Sequence, residues 1–166
     1  MHVMCVGPLM IDIIAAGLPK VADPGEVLYT PKGVQMHIGG HSANVSTNLR
    51  KLSLGETVVS SVGAVGEDPF GVFIENALKS NGVITHFQRV EGIETGKNLI
   101  LVISGQDRRY HADLGANLHL NPHFVSEVLV KGKPIILYVG ATGDLGTFDD
   151  SLAEILKEAN DLNCLT

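Results

Sequence analysis

Apolar residues along this chain fall into short runs that glycine, proline and asparagine punctuate. His2 to Val6 is one such run, ended by Gly7-Pro8, which predicts a buried strand and a turn. Leu9 to Ala16 is a second, interrupted by Asp12. Gly17 to Gly33 is broken by Gly and Pro, with Glu26 to Thr30 predicted as a short strand and Val34 to Ile38 as another. This section reads as a small antiparallel sheet rather than core. Gly39-Gly40 breaks the chain, and Ser42 is the expected N-cap of a helix running to about Leu52.

Thr57 to Val62 is rich in β-formers and follows an expected turn at Leu54-Gly55. Asp68-Pro69 opens a second helix, with Asp as cap and Pro at the first helical position. Its apolar stripe is Phe70, Phe73, Ile74 and Leu78, and Asn81-Gly82 closes it. Three strand-like pieces follow: Ile84 to Val90, Gly96 to Ile103 and Arg108 to Ala112, the last two joined by a hairpin turn at Gly105-Gln106-Asp107. Asn121-Pro122 begins a short helix, and Pro134 to Val139 is a buried strand. Asp149 to Asn160 is a helix with Leu152, Ile155 and Leu156 inward, and Leu162 to Thr166 starts like another strand. The alternation predicts an α/β fold, which gains stability by stacking several parallel strands. The chain stops as the next strand begins, so a truncated polypeptide is expected.

Composition narrows the class. Of 166 residues, 45% are hydrophobic and 18% charged, which fits one globular unit with a sizeable core. Twelve basic against eighteen acidic residues give a formal charge of −6, which argues against a nucleic-acid or anionic-membrane surface. Cys5 and Cys164 form no CxxC pair, so neither a zinc site nor a disulfide framework is expected, and a reducing cytoplasm is the simple reading. Met1 to Ile14 lacks a basic leader and contains Asp12, so it reads as buried strand rather than signal peptide or membrane span.

The candidate chemistry centres on Ile38-Gly39-Gly40-His41-Ser42-Ala43-Asn44. Adjacent glycines let backbone approach a ligand, and a helix starting beyond them offers unpaired N–H donors. Asn44, in the first turn, both donates and accepts, as neutral hydroxyl groups require. No Lys or Arg follows before Arg50, so a phosphate is the weaker match. Asp12 is a carboxylate inside an apolar run, costly unless paired or used. At a strand end it could accept hydrogen bonds from sugar hydroxyls. Spacing alone does not bring Asp12 and Asn44 together.

Gly39-Gly40 with Asn44, then Leu52, Gly55 and Val62-Gly63-Ala64-Val65-Gly66-Glu67-Asp68-Pro69-Phe70-Gly71, closely resembles the first signature of the PfkB/ribokinase-like carbohydrate kinases. Gly7 and Asp12 resemble the family's opening strand, Thr95-Gly96 the start of a lid strand, and Gly115-Ala116-Asn117 its Gly-Ala-Asn turn. The resemblance covers essentially all 166 residues. It implies a ribokinase-like, Rossmann-type sandwich with a mainly parallel sheet, residues 1–166 forming its N-terminal portion. A small β-sheet lid would come from about 13–38 and 84–112. It implies that Asp12, Gly39, Gly40 and Asn44 contact a sugar or nucleoside. Asn98 and Ile100, two apart on one strand face, would be lid contacts. The outer face of the lid would pair with a second copy, as lids do in some relatives.

The implied activity is Mg-ATP-dependent phosphorylation of a substrate hydroxyl, with the Gly-Ala-Gly-Asp motif and the ATP-holding segments in the second half of family members. That motif is not found here. No catalytic residue and no metal ligand is therefore assigned, and the 166 residues alone are expected to be inactive. The alternative is a non-catalytic sugar-binding or structural module with the same fold. Met10 and Gly140 stand where ribose-phosphorylating members carry an Asn and a Glu, which weakens ribose as substrate. Ala141-Thr142-Gly143-Asp144 imitates the missing motif but lies too early, and Asp144 is read as a turn or cap residue. The pairs His37/His41 and His119/His123 are read as ordinary histidines. Gly92 to Lys97 is similar to a P-loop but one spacer short, so Lys97 is read as lying on a solvated strand.

Overall fold

The structure, a computed structural model, is described for residues 1–53 and 56–166, so the expected turn at Leu54-Gly55 lies outside the described residues. In chain order the strands are β1 (His2–Val6), β2 (Met10–Leu18), β3 (Val34–Gly39), β4 (Val58–Gly66), β5 (Ile84–Val90), β6 (Gly96–Ile103), β7 (Arg109–Asp113) and β8 (Ile136–Val139). The helices are α1 (His41–Leu52), α2 (Pro69–Ser80), α3 (Pro122–Gly132), α4 (Thr147–Asp150) and α5 (Leu152–Asp161), with a 3-10 turn at Gly115–His119.

β1 sits inside a parallel sheet of order β5-β4-β1-β8. It is covered on both faces, which explains its unbroken apolar run. Met4 and Val6 face a core that includes Leu129 of α3, Phe148 of α4 and Ile155 of α5. Val3 and Cys5 face Val45 and Leu49 of α1. Burial pushes the Cys5 thiol up to about 12, so it acts as a small apolar group. Beyond β8, the strand expected from Leu162 is realised as one parallel bridge between Leu165 and Ile136.

A second sheet of order β3-β2-β6-β7 rises from the carboxyl ends of β1 and β4. The antiparallel pairing expected in the section up to Ile38 holds for β2 and β3, but the sheet as a whole is mixed, because β2 and β6 run parallel while β6 and β7 are antiparallel. Ile84–Val90, assigned to the lid on sequence, pairs instead with β4 in the main sheet. A β4-α2-β5 crossover returns a strand parallel to its predecessor, and strand propensity does not say which neighbour a strand will choose. Glu26 to Thr30 forms no strand. Pro24 and Pro31 flank it, and Val27 and Tyr29 point to solvent with no sheet to cover them.

Two local expectations change for reasons visible in the hydrogen bonds. Gly40, not Ser42, occupies the N-cap of α1. Ser42 is buried inside the first turn, where its hydroxyl donates to the Cys5 carbonyl at 2.7 Å and meets the Ser61 hydroxyl at 2.7 Å, fastening α1 to β1 and β4. The single helix expected from Asp149 to Asn160 is two, divided at Ser151. The Asp149 carboxylate accepts from the Gly143 and Leu145 N–H groups, at 2.9 and 2.8 Å, and so holds a compact turn. Lys97 is half-buried rather than solvated, with its ammonium 5.7 Å from the Phe70 ring centre.

The two sheets are joined by Asp68 and Thr95. Asp68 caps α2, as the sequence predicts, by accepting from the Gly71 N–H at 2.8 Å. It also accepts from the Thr95 N–H at 2.7 Å and the Thr95 hydroxyl at 2.8 Å. The fully buried Thr95 hydroxyl in turn accepts from the Gly66 N–H at 3.0 Å. Partial burial pushes the Asp68 carboxyl up, but the donors from Thr95 and Gly71, with Lys97 nearby, outweigh it and hold the group below its ordinary value. Buried Asn117 makes a second joint: its carbonyl accepts from the Leu9 N–H at 2.8 Å, and its amide donates to the carbonyls of Leu9 at 3.0 Å and Leu114 at 2.8 Å.

Replacing Asp68 by Ala removes a helix cap and orphans the Thr95 donors, so a loss of about 2 kcal/mol is expected in urea unfolding at neutral pH. Because the folded-state value of Asp68 lies below the unfolded one, its contribution is complete above the ordinary carboxylate range and fades as pH falls through the folded value. The gap between wild type and Asp68→Ala should therefore narrow in acid.

Candidate functional site

Strand order reverses at β1: the chain builds outward to β4 and β5 on one side and later adds β8 on the other. In open α/β sheets, ligands bind outside the carboxyl ends of strands at such a point. That is where β1 hands over to β2 and where β3 hands over to α1, so the candidate residues lie around this crevice.

Asp12 and Asn98 are brought together. The parallel register of β2 and β6 sets them side by side, and the Asn98 amide donates to Asp12 Oδ1 at 2.8 Å. Asp12 is half-buried, and this pairing offsets the cost of a carboxylate in an apolar strand. Its second oxygen and the Asn98 carbonyl remain as acceptors. Ile100 lies two residues on and is buried, giving the same face an apolar floor.

The paired glycines serve different needs. Gly39 lies opposite Met10, and a Cβ there would stand 2.6 Å from Cγ of Asp12, so glycine makes room for the carboxylate. Gly40 has φ +85°, and a Cβ there would stand 2.7 Å from the Pro8 carbonyl carbon. The turn from β3 into α1 is therefore closed to side chains at both positions.

Asn44 is placed differently. It is exposed on α1 and lines a cavity of about 350 Å³ between α1, α2 and β3, with Ile38, Thr47 and Asn48. The pleat sets Ile38, opposite Ile11, on the other face of the second sheet from Asp12. Among the described residues, no hydrogen bond joins the Asn44 side chain to Asp12 or Asn98.

His41 and Tyr138 were not singled out as a pair on sequence. His41 Nδ1 lies 2.9 Å from the Tyr138 hydroxyl, across the crevice between α1 and β8. Gly140 explains how they fit, since a Cβ there would stand 2.5 Å from the tyrosine hydroxyl and 2.7 Å from the imidazole nitrogen. The missing side chain at Gly140 was the sequence signal; the ring that fills the space, 97 residues from its partner, was not readable. Asp144 is exposed in a turn, where its N–H donates to the Ala141 carbonyl at 3.3 Å.

Comparison with known proteins adds an independent line. The profile of the family described as pfkB family carbohydrate kinase matches residues 1–164. A ribokinase of Schizosaccharomyces pombe is 34% identical over 128 residues, covering 75% of this chain and 40% of that protein. A ribokinase structure from Giardia lamblia superposes with a TM-score of 0.85 at 20% identity, over 98% of this chain and 51% of that one. An adenosine kinase structure from Sinorhizobium meliloti gives 0.77 at 19% identity, over 98% and 54%. The two structures carry the likeness of fold, and the chain spans about half the length of each.

Gly40→Ala should cost about 3 kcal/mol in thermal or urea unfolding, because left-handed strain adds to a collision with backbone. Gly92→Ala is the control: its φ is +72°, but a Cβ there meets nothing within 4 Å. It should lose only about 1 kcal/mol. Equal losses at the two positions would show that the Pro8 carbonyl can move aside.

Proposed function

We propose, from the premise that the chain belongs to the pfkB family of carbohydrate kinases, that it forms the substrate-binding half of an ATP-dependent kinase acting on a hydroxyl of a sugar or nucleoside. The observation that carries this reading is the Asp12–Asn98 pair set beside Gly39-Gly40. A carboxylate oxygen and an amide carbonyl on one face can accept from neighbouring hydroxyl groups, while Ile100 supports the apolar edge of a sugar ring. Asn44 joins this assignment through the family motif, as a contact from α1. The second sheet, at about 13–38 and 96–112, acts as the lid.

Mg-ATP would be the phosphoryl donor, and the residues that hold it and activate the hydroxyl are sought outside this chain. Phosphoryl transfer rests on positioning and electrostatic stabilisation of the reacting groups. The contribution of these 166 residues is to fix the acceptor sugar and exclude water above it. Met10 and Gly140 remove two polar contacts expected for ribose, so the substrate differs in how it fills those positions. Cytoplasmic residence goes with an ATP-consuming role; no helix among the described residues is long and apolar enough to cross a membrane.

In a full-length protein carrying these residues, Asp12→Ala should weaken substrate binding about tenfold or more, since a charged hydrogen-bond partner is lost. Asn98→Ala should weaken it about fivefold. A thermal-shift screen of sugars and nucleosides identifies the ligand, and calorimetry measures the loss. Unchanged affinity in both folded variants would remove the pair from the site. Binding without ATP turnover would favour a non-catalytic sugar-binding module. The 166 residues alone, with their mass verified, should show no sugar-dependent ATP consumption.

The lid also supports a pairing reading. Ile13, Met36 and Leu99 align on the face opposite Asp12, and Val34 continues the patch; Met36, Leu99 and Val34 are exposed. An apolar sheet face of this kind is stabilised by a second copy. Light scattering should show a dimer that Leu99→Lys shifts to monomer; a monomer at high concentration in the wild type would sink this assignment.

A further inference from the structure

The bond between His41 and Tyr138 is built where three backbone segments meet. A Cβ on Gly7, just after β1, would stand 2.9 Å from the Gly140 carbonyl oxygen, 3.3 Å from the Ser42 nitrogen and 3.4 Å from His41 Cβ. Glycine at 7 and 140 leaves the remaining space to the imidazole and the phenol. The Tyr138 ring packs with Val45 and Leu49 against Val3 and Cys5, so its hydroxyl reaches the crevice from a fixed base. His41, Val45 and Leu49 follow one another at helical spacing on α1. This bond is not what fastens α1, because the fully buried Ser42 hydroxyl already ties the helix to Cys5 and Ser61. A water-exposed hydrogen bond exchanges for one to solvent and adds little stability.

His41 stands close to the groups assigned to the acceptor sugar. Gly39 lies against Asp12, where a Cβ would be 2.6 Å from the carboxylate carbon, and His41 follows two residues later. Two residues span at most about 7 Å, so the imidazole is within reach of a sugar ring held by Asp12. Asp12 and Asn98 present acceptors there, a carboxylate oxygen and an amide carbonyl. A sugar hydroxyl both donates and accepts, so these acceptors leave its lone pairs unmatched. An imidazole nitrogen is a better acceptor than a phenol oxygen. The Tyr138 hydroxyl therefore donates to His41 Nδ1, and the proton of the neutral ring stays on Nε2. Among the described residues that N–H has no partner, and it is the free donor at the crevice mouth.

We infer that His41 is a further substrate-contacting residue, donating from Nε2 to an oxygen of the acceptor sugar, and that Tyr138 is its positioning residue, fixing the tautomer and the ring. The inference rests on the reading of Asp12 and Asn98 as the sugar site. It gives that site a directional code: hydroxyl groups that donate face Asp12 and Asn98, and an oxygen that accepts faces His41. Tyr138 acts on the sugar only through the imidazole.

The test takes a full-length protein carrying these residues and titrates it calorimetrically with ribose, fructose and adenosine. For whichever of the three binds, His41→Ala should weaken affinity about tenfold and Tyr138→Phe about fivefold. His41→Gln, which keeps an N–H near the Nε2 position, should recover most of the loss. The double variant His41→Ala/Tyr138→Phe should bind no more weakly than His41→Ala alone, because Tyr138 acts through the imidazole. Imidazole nitrogen NMR should show the His41 proton on Nε2 in wild type and a mixture of tautomers in Tyr138→Phe, a change that a packing role would not produce. Additive losses in the double variant, or a wild-type proton on Nδ1, would each overturn the inference. If Asp12→Ala weakens binding while His41→Ala and Tyr138→Phe do not, the sugar site stands and His41 lies outside it. If none of these variants weakens binding, or none of the three probes binds, the sugar-site reading fails and this inference falls with it.

Discussion

The whole arrangement depends on one buried threonine hydroxyl. Thr95 stands where the chain passes from the main sheet to the second, and its hydroxyl accepts from Gly66 at the end of β4 while donating to Asp68. Asp68 also caps α2. A buried donor left unmade costs more than a formed bond contributes, so the three groups fix one another. With Thr95 fixed, β6 starts at a defined point, and its register against β2 sets Asn98 beside Asp12. The Asn117 clamp on Leu9 fixes the other strand of that pair in the same way. The candidate site is therefore a consequence of how two sheets are fastened.

The second sheet divides its chemistry by the two-residue period of its strands. Asp12 and Asn98 share one face with Ile100; Ile11, Ile13, Met36, Ile38 and Leu99 share the other. Near its root the apolar face packs on α1 and α2, in a core with Ala43, Ile74 and Leu78. Farther out Val34, Met36 and Leu99 are exposed, while Leu28 packs beside Ala15 and Leu101. A one-residue slip in β2 would exchange the faces and bury Asp12 against the helices, so the clamps that set register protect function as well as packing.

Much of this was legible in the chain. Asp68-Pro69 and Asn121-Pro122 both cap helices as read, because these caps use only neighbouring residues. β6 spans the predicted Gly96–Ile103, and the Gly39-Gly40 break falls at the end of β3. The family signature placed the glycine pair and Asp12 in one functional reading before any geometry. Where the sequence misled, the deciding partner was distant. Ser42 looked like a cap, but Cys5 and Ser61 claim its hydroxyl. Glu26 to Thr30 looked like a strand, but Pro24 and Pro31 flank it and it pairs with neither sheet.

What the sequence determined by itself was the local menu: which segments extend, which coil, where they stop, and that a carboxylate in an apolar strand needs a partner. Those follow from side-chain periodicity, caps and turn residues, whose interactions reach only a few positions. Only the tertiary structure decided that β5 joins the main sheet, that Asn98 is the partner of Asp12, and that Asn44 lines a cavity on the other face from it. It also decided that Tyr138 and His41 fill the space above Gly140. Each of these turns on strand partnership or register, and a strand's pattern specifies its two faces without naming the neighbour against which it will lie.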